Sequence, residues 1–186
     1  AVDTVVIDNE DSGYRLGRHL LEQGKTRLCV IAGSGSTTGA LRVKGIMRAL
    51  NEEGLDEKHA KVVYVRASEE EGFRAAEEIV SGAKRFDALV ATNGLLAAGI
   101  YRRLREAKIS MPHELAFACF DETPWTGLVE PGITVIRQPT EEIGRTAAEL
   151  LCRRIKEEDA GSTRKVVLTA ELVARGSTTG GAPVTE

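Results

Sequence analysis

Short apolar runs alternate along the chain with longer stretches of helical period. Runs at Thr4 to Asp8, Arg27 to Ala32, Lys61 to Val65, Ala88 to Ala91, Leu115 to Phe120, Ile133 to Arg137 and Val166 to Val173 read as strands. Between them, Val43, Ile46, Met47 and Leu50 follow the i, i+3, i+4, i+7 spacing of one buried helix face, and Gly54 is placed to end that helix. Ser68 followed by Glu71 reads as a capping box ahead of Phe73, Ala76, Ile79 and Val80. Pro139 suits the first turn of a helix carrying Ile143, Ala147, Leu150, Leu151 and Ile155. This alternation predicts an α/β fold, a parallel sheet with helices on both faces.

Two of the predicted strands end in a polar side chain. DALVATNG, from Asp87 to Gly94, carries Asn93, and LAFACFDE, from Leu115 to Glu122, carries Asp121. In open α/β sheets ligands bind beyond the carboxyl ends of the strands, so an amide and a carboxylate stand where a ligand would sit. Arg42, in the first turns of the helix after Arg27 to Ala32, points to the same edge, and its planar fork offers paired hydrogen bonds to hydroxyl or carboxylate oxygens. Each residue has a plainer reading: Asn93 as a helix N-cap, Asp121 as a cap for the segment around Pro124, Arg42 as a surface arginine. Convergence of the three on one edge favours a site for a ligand rich in hydroxyls. None is a nucleophile or an obvious base, so binding rather than catalysis is expected.

Other motifs carry less. In IAGSGSTTG, from Ile31 to Gly39, the third glycine falls one position beyond the dinucleotide spacing. Glu52, Glu53 and Asp56 crowd a solvated helix end where a lone ribose-binding acid would be needed, and a Walker lysine is absent. A tight turn is the simpler reading, and no cofactor is expected. His19, His59 and His113 lack metal-ligand spacing, so no metal is expected either. Cys29, Cys119 and Cys152 lie among apolar neighbours and read as small buried hydrophobes in a reducing compartment. Trp125 reads as a packing residue; Glu69 to Glu71 and the Arg102, Arg103, Arg105 cluster read as solvated helix faces.

Composition narrows the class. The 186 residues are 42% hydrophobic and 28% charged, ordinary for a globular chain. A net charge of -3 without a basic stripe argues against a nucleic-acid module in this piece. No apolar run approaches the roughly 18 residues of a membrane helix. The opening AVDTVVIDNEDS lacks signal-peptide features, so a cytoplasmic location is expected. The chain opens at Ala1 directly before a strand with no earlier βα unit, which suggests a piece of something longer. Pro124, Gly127, Pro131 and Gly132 mark a loop or hinge, and STTGGAPVTE from Ser177 reads as a loose tail.

Six segments in order, DNEDSGYRLGRHLLEQG, ALRVKGIMRAL, DALVATNGLLAAGI, FDETPW, TVIRQPTEEIGRTAAELL and LVARGST, resemble the effector-binding core of the LacI/GalR family of bacterial transcription regulators. The resemblance runs from about Val5 to Thr178. It implies a type I periplasmic-binding-protein-like fold of two α/β lobes, with a sugar or nucleoside-related effector in the cleft between them. It implies effector-binding roles for Arg42, Asn93 and Asp121, and adds Gln138 in the RQP crossover and Ser12. Two features depart from the family: Gly94 stands where Asp is common, and the region near Ala67 lacks a stacking aromatic.

On this resemblance, residues 1–26 are a remnant of the first lobe (strand and helix) and 27–137 a complete second (C-terminal) lobe. Residues 138–164 are a crossover helix of the first lobe, 165–176 a return strand and 177–186 a flexible tail, with the helix-turn-helix absent from this chain. The expected function is effector sensing in a LacI-type repressor: not an enzyme, without membrane contact, homodimeric, and meeting DNA only through an amino-terminal domain. Apolar surface on an incomplete lobe is a separate reason to expect self-association. One alternative is an exported sugar-binding protein of a transporter, against which the chain's start and its cysteines stand. Another, a nucleotide-dependent enzyme, rests on IAGSGSTTG alone.

Overall fold

The computed structural model describes residues 2–82, 86–156 and 162–179. Its elements are β1 (Thr4–Ile7), α1 (Asn9–Glu22), β2 (Leu28–Gly33), α2 (Thr37–Glu52), β3 (Ala60–Val65), α3 (Glu69–Ser81), β4 (Ala88–Ala91) and α4 (Gly94–Glu106). There follow β5 (Ala116–Phe120), α5 (Pro124–Leu128), β6 (Thr134–Arg137), α6 (Thr140–Ile155), β7 (Lys165–Leu168), β8 (Glu171–Val173) and α7 (Gly176–Thr179). The larger sheet has the order β3-β2-β4-β5-β6-β8, parallel except for β8, which runs antiparallel to β6. A smaller sheet pairs β1 with β7 in parallel. The α/β architecture expected from the alternation is the one present.

Every residue of β2, β4 and β5 is buried, which is why these strands read as unbroken apolar runs. Strand alternation divides them between two cores. Val30, Ala32, Val90, Ala118 and Phe120 pack with Leu16 and Leu20 of α1 and Ile46 and Leu50 of α2. Cys29, Ile31, Leu89, Phe117 and Cys119 pack with Ala76 of α3 and Leu96, Ile100 and Leu104 of α4. On each face the two helices touch backbone to backbone through glycine. A Cβ on Gly45 would stand 1.9 Å from Glu10 O, one on Gly99 1.9 Å from Glu69 O, and one on Gly13 2.1 Å from Arg42 O. Only a missing side chain allows that approach.

Four expectations are corrected. The helix assigned with residues 1–26 to a first-lobe remnant covers the larger sheet instead: Leu16 and Leu20 are fully buried there beside α2. Its apolar face decides its place, not its proximity to β1 in sequence. The single strand expected at 166–173 is two, β7 on the small sheet and β8 on the large one, with Thr169 and Ala170 carrying the chain between them. Both halves are apolar, so periodicity has no means of seeing the switch. Cys152 is exposed on α6, whereas Cys29 and Cys119 are buried and burial pushes both thiols up, Cys29 to about 12.

The tail expected from Ser177 begins as docked structure, and residues 180–186 lie outside the described residues. Ser177 Oγ donates to Phe117 O at 2.6 Å and accepts from Thr134 N at 2.9 Å, continuing the hydrogen bonding of β5 and β6. Thr178 Oγ1 lies 2.7 Å from Thr134 Oγ1 and 2.8 Å from Nε2 of buried His19 on α1. Burial lowers the His19 pKa from its ordinary value, against a smaller opposing pull from Glu22. An unfolded histidine titrates near ~6.5, so below that pH the unfolded chain takes up a proton that folded His19 resists. Stability is therefore expected to fall as pH drops through that value and to level off below the folded pKa. Urea midpoints across this range should show a smaller acid loss in His19→Gln; an unchanged slope would refute the link.

Candidate functional site

The carboxyl ends of β4, β5 and β6 bring the site together. Asp121 follows β5 with φ 76°, a left-handed conformation that turns its carboxylate back over the sheet edge. Its Oδ2 accepts from Gly94 N at 3.1 Å, at the first residue of α4, and its Oδ1 accepts from Nε2 of Gln138 just past β6. A carboxylate at a helix N-terminus is favoured by the open amides and the dipole there. Asp121 thus caps α4 rather than the segment around Pro124, whose helix is preceded by Thr123. Asn93 is the N-cap residue of α4, its Oδ1 accepting from Leu96 N at 2.9 Å. The capping geometry uses only the carbonyl end of its amide. Nδ2 carries no hydrogen bond among the described residues and stands near Gly33 at the end of β2.

Arg42 is 5% exposed on α2, with its guanidinium carbon 4.3 Å from the centre of the Phe120 ring. Nε donates to Asn9 Oδ1 at 2.8 Å and Nη1 to Thr92 O at 2.6 Å, while Nη2 has no acceptor among the described residues. Nη1 stands 4.0 Å from Asp121 Oδ1, too far for a direct hydrogen bond. Burial lowers the Arg42 pKa and Asp121 opposes the shift; a guanidinium stays charged in any case. Beside it the hydroxyl of Thr92, 1% exposed, has no hydrogen-bond partner among the described residues. Buried polar groups are rarely left in this state, and the open donors of Arg42 together with this hydroxyl could bond to a polar ligand.

Of the five residues named from sequence, Arg42, Asp121 and Gln138 are joined by the contacts above, and Asn93 sits between Thr92 and Gly94, which touch the same cluster. Ser12 has no side-chain bond to these four. It is buried on α1, one turn beyond Asn9, with Oγ donating to Asp8 O at 2.6 Å. Two residues were missed. Asn9 is adjacent to the α1 N-cap Asp8 in the DNED segment, and Thr92 precedes Asn93 in a motif already singled out. The glycine-rich turn after β2 serves α2: Gly35 has φ 70°, and Ser36 Oγ accepts from Gly39 N at 3.0 Å. Trp125 packs against Tyr101, ring centres 5.1 Å apart. Among the described residues no helix is long and apolar enough to cross a membrane.

A parallel sheet with converging polar groups at its strand ends, joined by three chain crossings to a second sheet, is the architecture of a periplasmic-binding-protein-like domain. Residues 18–178 match the family described as periplasmic binding protein-like domain, and the chain belongs to that family. Its relatives are regulators of the LacI family, as the six sequence segments implied. The transcriptional regulator DegA of Bacillus subtilis is 34% identical over 182 residues, which cover 95% of this chain and 52% of DegA. The chain spans about half the length of the curated relatives it matches. A LacI family regulator from Enterococcus faecium with bound ribose superposes with a TM-score of 0.86 at 27% identity, covering 95% of this chain and 65% of that one. The complex of the regulator CelR with cellobiose gives 0.85 at 32% identity, covering 95% and 54%.

Proposed function

We propose that the chain is the effector-sensing part of a LacI-type transcriptional regulator, binding a small polyhydroxylated molecule, a sugar or nucleoside-related compound, at the Arg42–Asp121 crevice. The observation that carries this is the 4.0 Å gap between Arg42 Nη1 and Asp121 Oδ1. A hydroxyl oxygen fits at about 2.8 Å from both, accepting from the guanidinium and donating to the carboxylate. Arg42 Nη2, Asn93 Nδ2 and Thr92 Oγ1 offer further bonds to neighbouring hydroxyls. An apolar ligand would leave the buried Arg42 donors and Thr92 hydroxyl unmet, at a cost of about 1–3 kcal/mol each. Gln138 holds Asp121 from the β6–α6 crossing, and Ser12 is kept as a further effector contact on the family resemblance, its hydroxyl bonded to Asp8 O.

The larger sheet with α1 to α4 forms one lobe; β1, α6 and β7 belong to the other. Closure of the crevice would alter the angle between the lobes and so bias operator binding by a separate DNA-binding domain, as a two-state coupling. A homodimer working in the cytoplasm completes the reading.

Titration calorimetry with ribose, cellobiose and a purine nucleoside tests it. Saturable heat is expected from at least one; silence from all three, with apolar ligands binding instead, would overturn the reading. Two variants separate capping from binding at Asn93. Asn93→Ala is expected to cost about 1 kcal/mol of stability through the lost cap, whereas Asn93→Asp keeps the cap. Asn93→Asp should still lose affinity, because a carboxylate has no amide N–H to donate. Equal affinity in Asn93→Asp and wild type would leave Asn93 a cap alone.

A further inference from the structure

Asn9 is the buried residue that the effector reading leaves without a role, and it stands where the chain passes from the small sheet to the large one. It follows Asp8 directly after β1 and opens α1. Its amide faces two ways. Nδ2 donates to the carbonyl of Ile7, the last residue of β1, at 3.2 Å, and Oδ1 accepts from Arg42 Nε at 2.8 Å. One 6%-exposed side chain therefore ties the end of the small sheet to the guanidinium over the larger one. Gln138 repeats the arrangement at a second crossing: it lies between β6 and α6, and its amide holds the carboxylate of Asp121. Each charged group of the crevice is thus held by an amide on a chain crossing.

We propose that Asn9 is a positioning residue that orients Arg42 and transmits a displacement of the guanidinium to the angle between the two sheets. This rests on the effector reading for its purpose, but not for its geometry. A hydroxyl drawing Arg42 toward Asp121 pulls on Asn9 Oδ1, and through Nδ2 on the carbonyl end of β1. Movement runs equally in reverse, since coupling between two equilibria is reciprocal.

Three readings on the full chain test this, in a Cys152→Ser background with nitroxide labels at Lys61→Cys on β3 and Lys165→Cys on β7, both exposed positions. Asn9→Ala and the isosteric Asn9→Asp, which keeps the bond to Arg42 but cannot donate to Ile7 O, are compared with wild type. Without ligand, both variants are expected to shift or broaden the distance distribution between the labels. With ribose as probe, Asn9→Ala is expected to lose about tenfold in affinity, and the loss should vanish when Arg42 is already Met. A residue that merely supports the fold would lower the melting temperature without moving the distances or coupling to Arg42. Unchanged distances in both variants overturn the proposal. If wild type fails to bind ribose, that result bears on the choice of effector, and the ligand-free distances still decide the role of Asn9.

Discussion

Gly45→Ala is expected to destabilise the chain by about 3 kcal/mol, read as a lower urea midpoint at an unchanged slope. The added methyl would stand 1.9 Å from Glu10 O and 2.6 Å from Tyr14 N, so backbone meets it on two sides and no flexible side chain can yield. The only relief is to part α1 from α2, and Leu16, Leu20, Ile46 and Leu50 would lose contact together. Gly144 supplies the contrast. It lies in α6 with open space around it, so Gly144→Ala meets nothing and is expected to gain about 0.5–1 kcal/mol from helix propensity. Were the two substitutions to have equal effects, close helix contact at Gly45 would not be what holds this face.

Arg42→Met is expected to weaken ribose binding about a hundredfold, the equivalent of two hydrogen bonds to a charged group. Stability should change far less. Methionine still covers the Phe120 ring, and removing a buried charge relieves its desolvation cost while Asn9 Oδ1 and Thr92 O lose a donor. Arg42→Lys keeps the charge but not the fork, which has to reach Asn9, Thr92 and the crevice at once, so it should fall between the two. Calorimetry and chemical unfolding on the same samples separate the effects. Affinity within twofold of wild type in Arg42→Met would remove the guanidinium from the site.

The strand-end rule made much of this candidate site legible from sequence. Asn93, Asp121 and Arg42 are short-range inferences: each needs only the end of one strand or the start of the next helix. Asn9 and Thr92 were not legible, because their importance lies in an atom 2.8 Å or 2.6 Å from Arg42, far along the chain. The same distinction separates the fold's clear parts from its hidden ones. The face of α2 is written in its own period, but the allegiance of α1 depends on which sheet offers the larger apolar surface. The split of residues 166–173 depends on two sheets reaching for one apolar stretch. The docking of Ser177 and Thr178 runs against composition, since small polar residues usually signal loose chain, yet here their hydroxyls fit unmet backbone and side-chain groups on β5 and β6.

A sheet whose edge is closed by a strand far along the chain also constrains how the chain folds as it is made. While synthesis proceeds from the amino end, β6 leaves the ribosome with one edge bare, and it stays bare until β8 has crossed back from the small sheet. Through that interval the nascent chain carries an unpaired edge, open to wrong partners, and the long-range pairing that seals it is slow to form. Closure of the sheet waits on β8, and Thr178 then reaches back to His19 as α7 settles against the first helix.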